Sequence, residues 1–290
     1  MLTSSEVRGY LNRLGLSDIE KPTLPYLFQL HRAHVEQLSW QSIDIFAGRA
    51  VSIDPKQSLE LILIGRSGYC FHLNGAFSLL LRTLGYDVAW HRAGVQPIGE
   101  APRVNGFHLA LTVSLPDDQA QETRWIIDAG LGDMPYEPLP LVHGVYDQGP
   151  YTYKLLQSEV AAGGWRLEHD PNATFSGVDV APEVIDDISA FLPQHNHYST
   201  SPESPWVNTF LLRHRHAGGS NELRGCVWAQ RDEHGIKKTE LQTQSQWLDV
   251  LGDVFGEKLV AYDQTARDAL WKKNVTLHEE WKRQREAAKS

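Results

Sequence analysis

The segment Arg66-Ser67-Gly68-Tyr69-Cys70-Phe71-His72-Leu73-Asn74 begins the most regular helical pattern in the chain. Large apolar residues recur on one stripe as far as Leu84, and Gly85 follows where a helix usually ends. The pattern therefore predicts a helix that starts at Cys70. Because the free N–H groups and the dipole of a helix N-terminus stabilise a thiolate, Cys70 is a candidate nucleophile. A packed, unreactive core cysteine is the alternative that its position alone leaves open.

Two predicted strands further along the chain offer a base and a group to orient it. In residues 107–115 an apolar face alternates with a small, polar face that includes His108, and the next strand ends at Asp128. If the apolar faces of the two strands coincide, His108 and Asp128 lie on one side of the sheet. A turn signal centred on Asp118 sets them directly opposite each other, within reach of a hydrogen bond. For either residue taken alone, a surface histidine or a strand-end aspartate is the alternative.

The order of the predicted elements indicates an α+β protein. The first 85 residues are mainly helical, and the pattern then changes to short strands separated by turn signals. These strands predict an antiparallel sheet or small barrel. The Pro-, Ser- and His-rich residues 193–205 are predicted as a loop, residues 223–230 as one strand, and residues 245–255 as a helix before a last helix from Thr265. The other predicted strands are 86–93, 107–115, 124–128, 151–156, 165–168 and 209–213.

The composition is that of a folded globular protein and excludes several classes of protein. Of 290 residues, 41% are hydrophobic and 22% charged, and 27 Lys and Arg against 36 Asp and Glu give a net charge of −9. An acidic chain lacks the electrostatic surface of a nucleic-acid or anionic-membrane binder. No apolar run approaches the roughly 18 residues of a membrane span, and the N-terminus has no signal-peptide pattern.

The cysteine count excludes a disulfide scaffold. Cys70 and Cys226 are the only two cysteines, and they lie far apart in the sequence. A single bridge between them stays open, but we expect a cytoplasmic protein with reduced thiols. Cys226 lies in an apolar, strand-like stretch and is expected to be an unreactive core thiol.

In this order, these segments resemble the arylamine N-acetyltransferase family. Residues 66–74 are similar to the family's Arg-Gly-Gly-Tyr-Cys helix start, and residues 84–88 to its Leu-Gly-Phe-x-Val helix exit. Residues 127–132 resemble its Val-Asp-Val-Gly-Phe-Gly turn, and residues 201–207 its Ser-Pro-x-Ser-x-Phe-Val stretch. Further matching segments are Phe107-His108-Leu109, Pro138-Leu139, residues 10–15 and residues 30–34. The ordered combination is specific, although no single segment is.

The resemblance implies a catalytic triad of Cys70, His108 and Asp128. It implies a papain-like cysteine-protease-type core with three domains: a helical bundle (1–86), a β-barrel (87–195) and an α/β lid (196–290). The activity it implies is transfer of an acetyl group from acetyl-CoA to an arylamine or arylhydrazine. The expected partner is the arylamine or arylhydrazine, and no metal, nucleic acid or membrane is expected to bind. The protein is expected to be a monomer or homodimer.

Family position and closeness to the triad segments also give candidate binding residues. A neutral arylamine needs an apolar pocket, and glycines allow a backbone to approach a ligand closely. The candidates to line the amine pocket are Phe71, Val95 and Leu131. The candidates to contact acetyl-CoA are Gly130, Gly132 and Trp206. For Trp206, packing between domains is the alternative.

The chain departs from the family pattern at Ser67, His72, Phe107 and Leu131. The change at His72 removes a carboxylate that the family places near Arg66. The triad is retained, so a related acyltransferase or amide synthase with another acyl donor is an alternative function.

Three other classes remain alternatives. The pairs His195/His197 and His214/His216 could hold a metal, although no neighbouring Cys or Glu completes a site. A papain-like hydrolase shares the order of the triad. A binding module without catalysis would leave Cys70 unreactive towards iodoacetamide.

Overall fold

The computed structural model describes residues 1–116 and 122–288 of the chain. These residues form a group of helices, an eight-stranded antiparallel sheet and a five-stranded antiparallel sheet. The α+β class predicted from the sequence is confirmed. No helix within the described ranges is both long enough and apolar enough to cross a membrane.

The helices begin where the sequence gives start signals. Thr3 and Glu6 form a capping box at the first helix, and the helix predicted at Cys70 begins at that residue. The helices are α1 (Ser4–Arg13), α2 (Leu24–Gln37), α3 (Ile43–Phe46), α4 (Pro55–Leu63), α5 (Cys70–Thr83), α6 (Leu192–Thr200), α7 (Gln244–Asp253) and α8 (Gln264–Ala287), with a 3-10 helix at Ile188–Phe191.

The strands divide between the two sheets. In the eight-stranded sheet the spatial order is β5-β4-β3-β2-β9-β8-β7-β6, and in the five-stranded sheet it is β1-β10-β11-β12-β13. The strands are β1 (Trp40–Gln41), β2 (Asp87–Gln96), β3 (His108–Pro116), β4 (Glu122–Ile127), β5 (Leu139–Pro140), β6 (Gly144–Gln148), β7 (Tyr151–Gln157), β8 (Trp165–Glu168), β9 (Gly177–Ile185), β10 (Leu211–His216), β11 (Gly219–Arg224), β12 (Val227–Asp232) and β13 (Gly235–Glu240).

Two local predictions are wrong. Residues 193–205, predicted as a loop, contain most of α6, because Pro193 suits the first turn of a helix and contacts with the rest of the protein hold that helix. Residues 223–230, predicted as one strand, belong to β11 and β12. Gly225, with φ of 60°, makes the tight turn between them, and Arg224 pairs with Val227.

Among the described residues, three apolar clusters form the core. The largest lies between the helices and one face of the eight-stranded sheet, and includes Phe77 of α5 and Leu111 of β3. A second lies on the other face of that sheet, and includes Ile126 and Tyr153. The third packs α7 on the five-stranded sheet around Trp247. The eight-stranded sheet therefore has an apolar cluster on each face, one of them covered by α5.

The register between β3 and β4 differs from the prediction by two residues. Leu111 pairs with Ile127, whereas a turn centred on Asp118 would pair it with Trp125. Asp118 itself lies outside the described residues. Because side chains alternate with a period of two, this shift leaves every side chain on its predicted face. His108 and Asp128 are therefore on the same side of the sheet, although they are not directly opposite each other.

The chain segments of the three predicted domains are connected through secondary structure. β1 pairs with β10, and α6 spans the predicted boundary at residue 195. We retain the division into 1–86, 87–195 and 196–290 as a proposal.

Candidate active site

Cys70 occupies the first position of α5. It is 2% exposed, and its thiol donates to the carbonyl oxygen of Phe107 at 3.8 Å. Tyr69 caps the helix, since its carbonyl accepts from the amides of His72 and Leu73 at 2.9 and 3.0 Å. The first amides of a helix have no intrahelical acceptor, so those of Cys70 and Phe71 can bind an oxyanion beside the thiol.

His108 and Asp128 form a buried pair next to this thiol. The Nε2 atom of His108 lies 2.6 Å from Oδ2 of Asp128. Burial alone would lower the pKa of His108, but the charge and hydrogen bond of Asp128, together with a hydrogen bond and charge from Cys70, raise it to about 10. Since Asp128 occupies Nε2, Nδ1 is the nitrogen left for Cys70, and it has no hydrogen-bond partner among the described residues. The arrangement favours an imidazolium beside the cysteine.

Asn74 and Gly130 hold the carboxylate of Asp128 from the other side. Nδ2 of Asn74 donates to Oδ1 of Asp128 at 2.9 Å and to the carbonyl of Leu109 at 2.7 Å. The amide of Gly130 donates to the same Oδ1 at 2.9 Å. Asn74 was not predicted as a functional residue. Its signal in the sequence is its spacing of four residues from Cys70, which sets both side chains on one face of α5.

The two glycines of the Gly-x-Gly turn have packing reasons that need no ligand. A Cβ on Gly130 would lie 2.7 Å from Nδ2 of Asn74 and 3.1 Å from Cα of Cys70. Gly132 has φ of 74°, and a Cβ there would lie 2.2 Å from Cβ of Arg213. The turn is therefore pressed against α5 on one side and against β10 on the other.

The structure places the residues predicted to line the amine pocket in two different apolar clusters. Phe71 is fully buried in the largest apolar cluster, 5.3 Å from the ring of Phe191. Val95 and Leu131 belong to the second cluster, on the opposite face of the eight-stranded sheet. The three residues are not brought together in one cluster.

Aromatic rings instead gather on the side of Cys70 that α6 covers. Tyr198 of α6 donates to the Phe107 carbonyl at 3.4 Å, the same oxygen that accepts the Cys70 thiol. Its ring lies 3.6 Å from the ring of Trp206 and 4.6 Å from that of Phe107. Trp206 also meets the edge of Tyr69 at 5.3 Å. Sequence reasoning missed Tyr198 because its segment was predicted as a loop.

The departure at His72 leaves Arg66 paired. Nη2 of Arg66 lies 2.5 Å from both carboxylate oxygens of Asp44, which also accepts from the Tyr262 hydroxyl at 2.7 Å. Burial lowers the pKa of His72 to about 3, so its ring is neutral at pH 7. Asp44 thus supplies Arg66 with a carboxylate, and His72 adds no charge near the thiol.

The histidine pairs considered as metal ligands make other contacts. His195 bonds with Tyr69, and His214 bonds with the carbonyl of Glu36 at 2.8 Å. Among the residues described, the acidic and histidine side chains close enough to share an ion are Glu240, His278 and Glu279. There Lys282 already forms ion pairs with both glutamates.

A groove of about 830 Å³ runs between α8 and one face of the five-stranded sheet. Its basic lining residues are Arg224, Arg231, Lys238, Lys282 and Arg285. The side chain of Arg231 is 10% exposed, and its Nε and Nη1 atoms have no hydrogen-bond partner within the described part of the chain. Glu222, Glu240, Glu280 and Glu286 line the same groove, and Glu222 lies 3.6 Å from Arg231. The two unpartnered donors of Arg231 are the atoms that an anionic group could bind there.

The comparisons with known proteins agree with this architecture. The N-acetyltransferase family model matches residues 23–263. An arylamine N-acetyltransferase of Escherichia coli is 30% identical over 256 residues, 85% of this chain and 87% of that protein. An arylamine N-acetyltransferase / N-hydroxyarylamine O-acetyltransferase of Salmonella typhimurium is 32% identical over 160 residues, so the match spans 53% of this chain and 54% of that protein.

The fold is also similar to solved structures. The Mycobacterium marinum arylamine N-acetyltransferase in complex with CoA superposes with a TM-score of 0.82 at 24% identity, covering 93% of this chain and 99% of that one. The fold expected from the sequence resemblance is therefore confirmed. With a family model matching most of its length, the chain belongs to the arylamine N-acetyltransferase family.

Proposed function

We propose that this protein transfers an acetyl group from acetyl-CoA to an arylamine or arylhydrazine through an acetyl-cysteine at Cys70. The observation that carries the proposal is the buried Cys70–His108–Asp128 arrangement, in which Asp128 lies 2.6 Å from His108 beside the thiol. The names of the relatives from Escherichia coli and Salmonella typhimurium support the same reaction.

In the first half-reaction, the Cys70 thiolate attacks the thioester carbonyl of acetyl-CoA. A carbon–sulfur bond forms, and the amides of Cys70 and Phe71 stabilise the oxyanion. When the tetrahedral intermediate collapses, the bond to the coenzyme sulfur breaks, and the imidazolium of His108 gives its proton to the leaving thiolate. Asp128 keeps the imidazole in the required orientation throughout.

In the second half-reaction, the amine nitrogen attacks the acetyl-cysteine. Neutral His108 takes a proton from the nitrogen, the carbon–sulfur bond breaks, and the Cys70 thiolate is restored with the amide as product. This order predicts ping-pong kinetics, since the coenzyme leaves before the amine reacts.

The aromatic rings beside Cys70 are the surface that we assign to the amine. Phe107, Tyr198 and Trp206 offer faces and edges on which an aromatic ring can stack. The earlier assignment to Phe71, Val95 and Leu131 stays a proposal, with the full burial of Phe71 as the observation against a direct contact.

The groove beside α8 is the site that we assign to the phosphates of the coenzyme. A row of alternating charges on one sheet face leads towards it from the Gly132 turn. Arg213 bonds with Glu222 at 2.9 Å, and Glu222 lies 3.6 Å from Arg231. Contact of Gly130, Gly132 and Trp206 with the pantetheine end of the coenzyme belongs to the same proposal. A monomer or homodimer in the cytoplasm, without nucleic-acid partners, remains our prediction.

Intact mass spectrometry after mixing the protein with acetyl-CoA tests the reaction directly. We expect one acetyl adduct on the wild type, none on a Cys70→Ala variant, and discharge of the adduct by an added arylamine. An adduct formed only with longer thioesters would favour the related acyltransferase or amide synthase. Absence of any adduct, with cleavage of a peptide substrate, would contradict the proposal and favour a hydrolase.

A further inference from the structure

The residue before the nucleophile uses its side chain to reach another element. Tyr69 caps α5 with its backbone, but its side chain makes no capping bond to that helix. Its hydroxyl instead lies 2.5 Å from Nδ1 of His195 on α6. Both side chains are buried, at 2% and 7% exposure. The first turn of the catalytic helix is thus tied to α6 through one hydrogen bond.

The direction of this bond follows from the protonation states of the two groups together with the tautomer of His195. Burial raises the pKa of Tyr69 well above its usual range, so the hydroxyl keeps its proton and can donate a hydrogen bond. Burial lowers the pKa of His195 below its ordinary value, so its ring is neutral at pH 7, and in the tautomer with the proton on Nε2 its Nδ1 accepts from the hydroxyl. Ser199 lies 3.4 Å from the same Nδ1, too far to replace Tyr69 as its main partner.

The surroundings favour a neutral His195. The ring of His72 lies 6.4 Å away and is itself neutral, and neither of its nitrogens has a partner among the described residues. A small cavity of about 10 Å³ touches both rings and Gln41. It has room for about one water molecule. The buried Asp44 lines the same cavity, but its carboxylate is paired with Arg66 and Tyr262. A charged His195 would therefore form no ion pair with any described carboxylate, whereas a neutral one satisfies Tyr69.

α6 also meets the other side of the thiol. Tyr198 donates to the Phe107 carbonyl, which accepts the Cys70 thiol and directly precedes His108. One helix therefore contacts both the cap of the cysteine helix and the entry to the histidine strand. A change in the Tyr69–His195 bond would alter how Cys70 faces His108.

We propose that His195 is a positioning residue of this active site: by accepting a hydrogen bond from the Tyr69 hydroxyl, it fixes the first turn of α5 and so the Cys70 thiol relative to His108. The inference rests on the proposed function, in that Cys70 is the nucleophile. It gives His195 a role other than the metal ligation considered from the sequence.

The test measures the rate of Cys70 alkylation by iodoacetamide as a function of pH in the full-length protein. A change in access to the thiol scales the rate equally at every pH, whereas a weaker pairing with His108 moves the pH of half-maximal rate. The variants are Tyr69→Phe, His195→Leu, the double variant and His195→Asn, with Asn196→Ala as the control on the exposed side of α6.

We expect Tyr69→Phe and His195→Leu each to move the midpoint upward by about one pH unit, equivalent to about a tenfold weaker pairing. The double variant should move it no further, because both changes remove the same bond. His195→Asn, whose side-chain oxygen can accept at the place of Nδ1, should restore the wild-type midpoint. Asn196→Ala should leave it unchanged.

Two results would overturn the inference. One is an unchanged midpoint in both single variants, with wild-type Cys70 reacting normally, which leaves the proposed function intact. The other is a midpoint for His195→Asn as high as that of His195→Leu, which would assign the effect to packing. Lack of any Cys70 adduct in the wild type would overturn this inference and the proposed function together. Thermal unfolding of each variant separates loss of folding from the change in pairing.

Discussion

The side-chain amide of Asn74 lies 2.9 Å from the carboxylate of Asp128, one helical turn after Cys70 on α5. The same helix therefore carries the thiol and the residue that orients the partner of the histidine. Asn74 also accepts from the amide of Ala129 at 3.1 Å, which links the strand end to the helix. The distance between Cys70 and Asp128 is thus set by one rigid turn of helix rather than by a loop.

Replacing Asn74 by alanine should reduce both activity and stability. The change leaves the Ala129 amide and one oxygen of Asp128 with fewer partners in a buried site, at a cost of about 1–3 kcal/mol for each unsatisfied group. We expect kcat to fall about 10- to 100-fold, because the pairing of Asp128 with His108 loosens. Steady-state kinetics and the downfield proton resonance of the His108–Asp128 hydrogen bond measure the two effects.

Asn12→Ala, on the exposed side of α1, is the matched control and should change neither quantity. An unchanged resonance in Asn74→Ala, with activity lost only in proportion to the unfolded fraction, would show that Asn74 is purely structural.

The alternation of residues in two strands was enough to predict that His108 and Asp128 share one side of the sheet. Their exact register was not predictable, because it depends on where each of the two strands ends. Asn74 and Tyr198 could not be assigned functions from local pattern, since their partners are 54 and 91 positions away. The long-range contacts of α6 likewise override a composition that is typical of loops.

A methyl group added at Gly130 should disturb the packing of this residue against α5 and so the active site. In Gly130→Ala the new Cβ must displace Asn74 or the start of α5, and we expect a loss of about 1–3 kcal/mol in the free energy of unfolding together with slower acylation of Cys70. Urea denaturation and the rate of acetyl-adduct formation measure these changes. In Gly252→Ala of α7, no described atom beyond the neighbouring helix backbone would lie within 4 Å of the new Cβ, so this change should instead stabilise the protein by up to about 1 kcal/mol. Equal behaviour of the two variants would refute the close packing at Gly130.

The buried pair of His108 and Asp128 makes stability depend on pH in the alkaline range. The pKa of His108 is raised from 6.5 to about 10, so its stabilising contribution is fully present below pH 6.5 and is lost as the pH rises through about 10. We expect the free energy of unfolding of the wild type to fall over this range more steeply than that of His108→Gln. Urea unfolding at several pH values measures both, and the difference between them removes the contribution of lysines and tyrosines. Parallel profiles for the two proteins would contradict the raised pKa.

The groove beside α8 gives a prediction about acetyl-CoA binding that does not depend on the reactivity of Cys70. Alternate residues of β13 point to opposite faces of the sheet, so Lys238 lines the groove with Arg231, whereas its neighbour Lys237 does not. If the phosphates of acetyl-CoA bind there, Arg231→Ala and Lys238→Ala should each raise the KM for acetyl-CoA about 5- to 30-fold, the cost of about 1–2 kcal/mol per lost charged contact. The limiting rate with the amine should stay near that of the wild type, because neither residue contacts the reacting atoms.

Added salt should raise the KM of the wild type more than that of the variants, since screening removes an attraction that the variants already lack. Lys237→Ala has the same change in charge on the opposite face and should behave as the wild type. Equal increases in KM for Lys237→Ala and Lys238→Ala would show that only the overall charge matters and that the phosphates bind elsewhere.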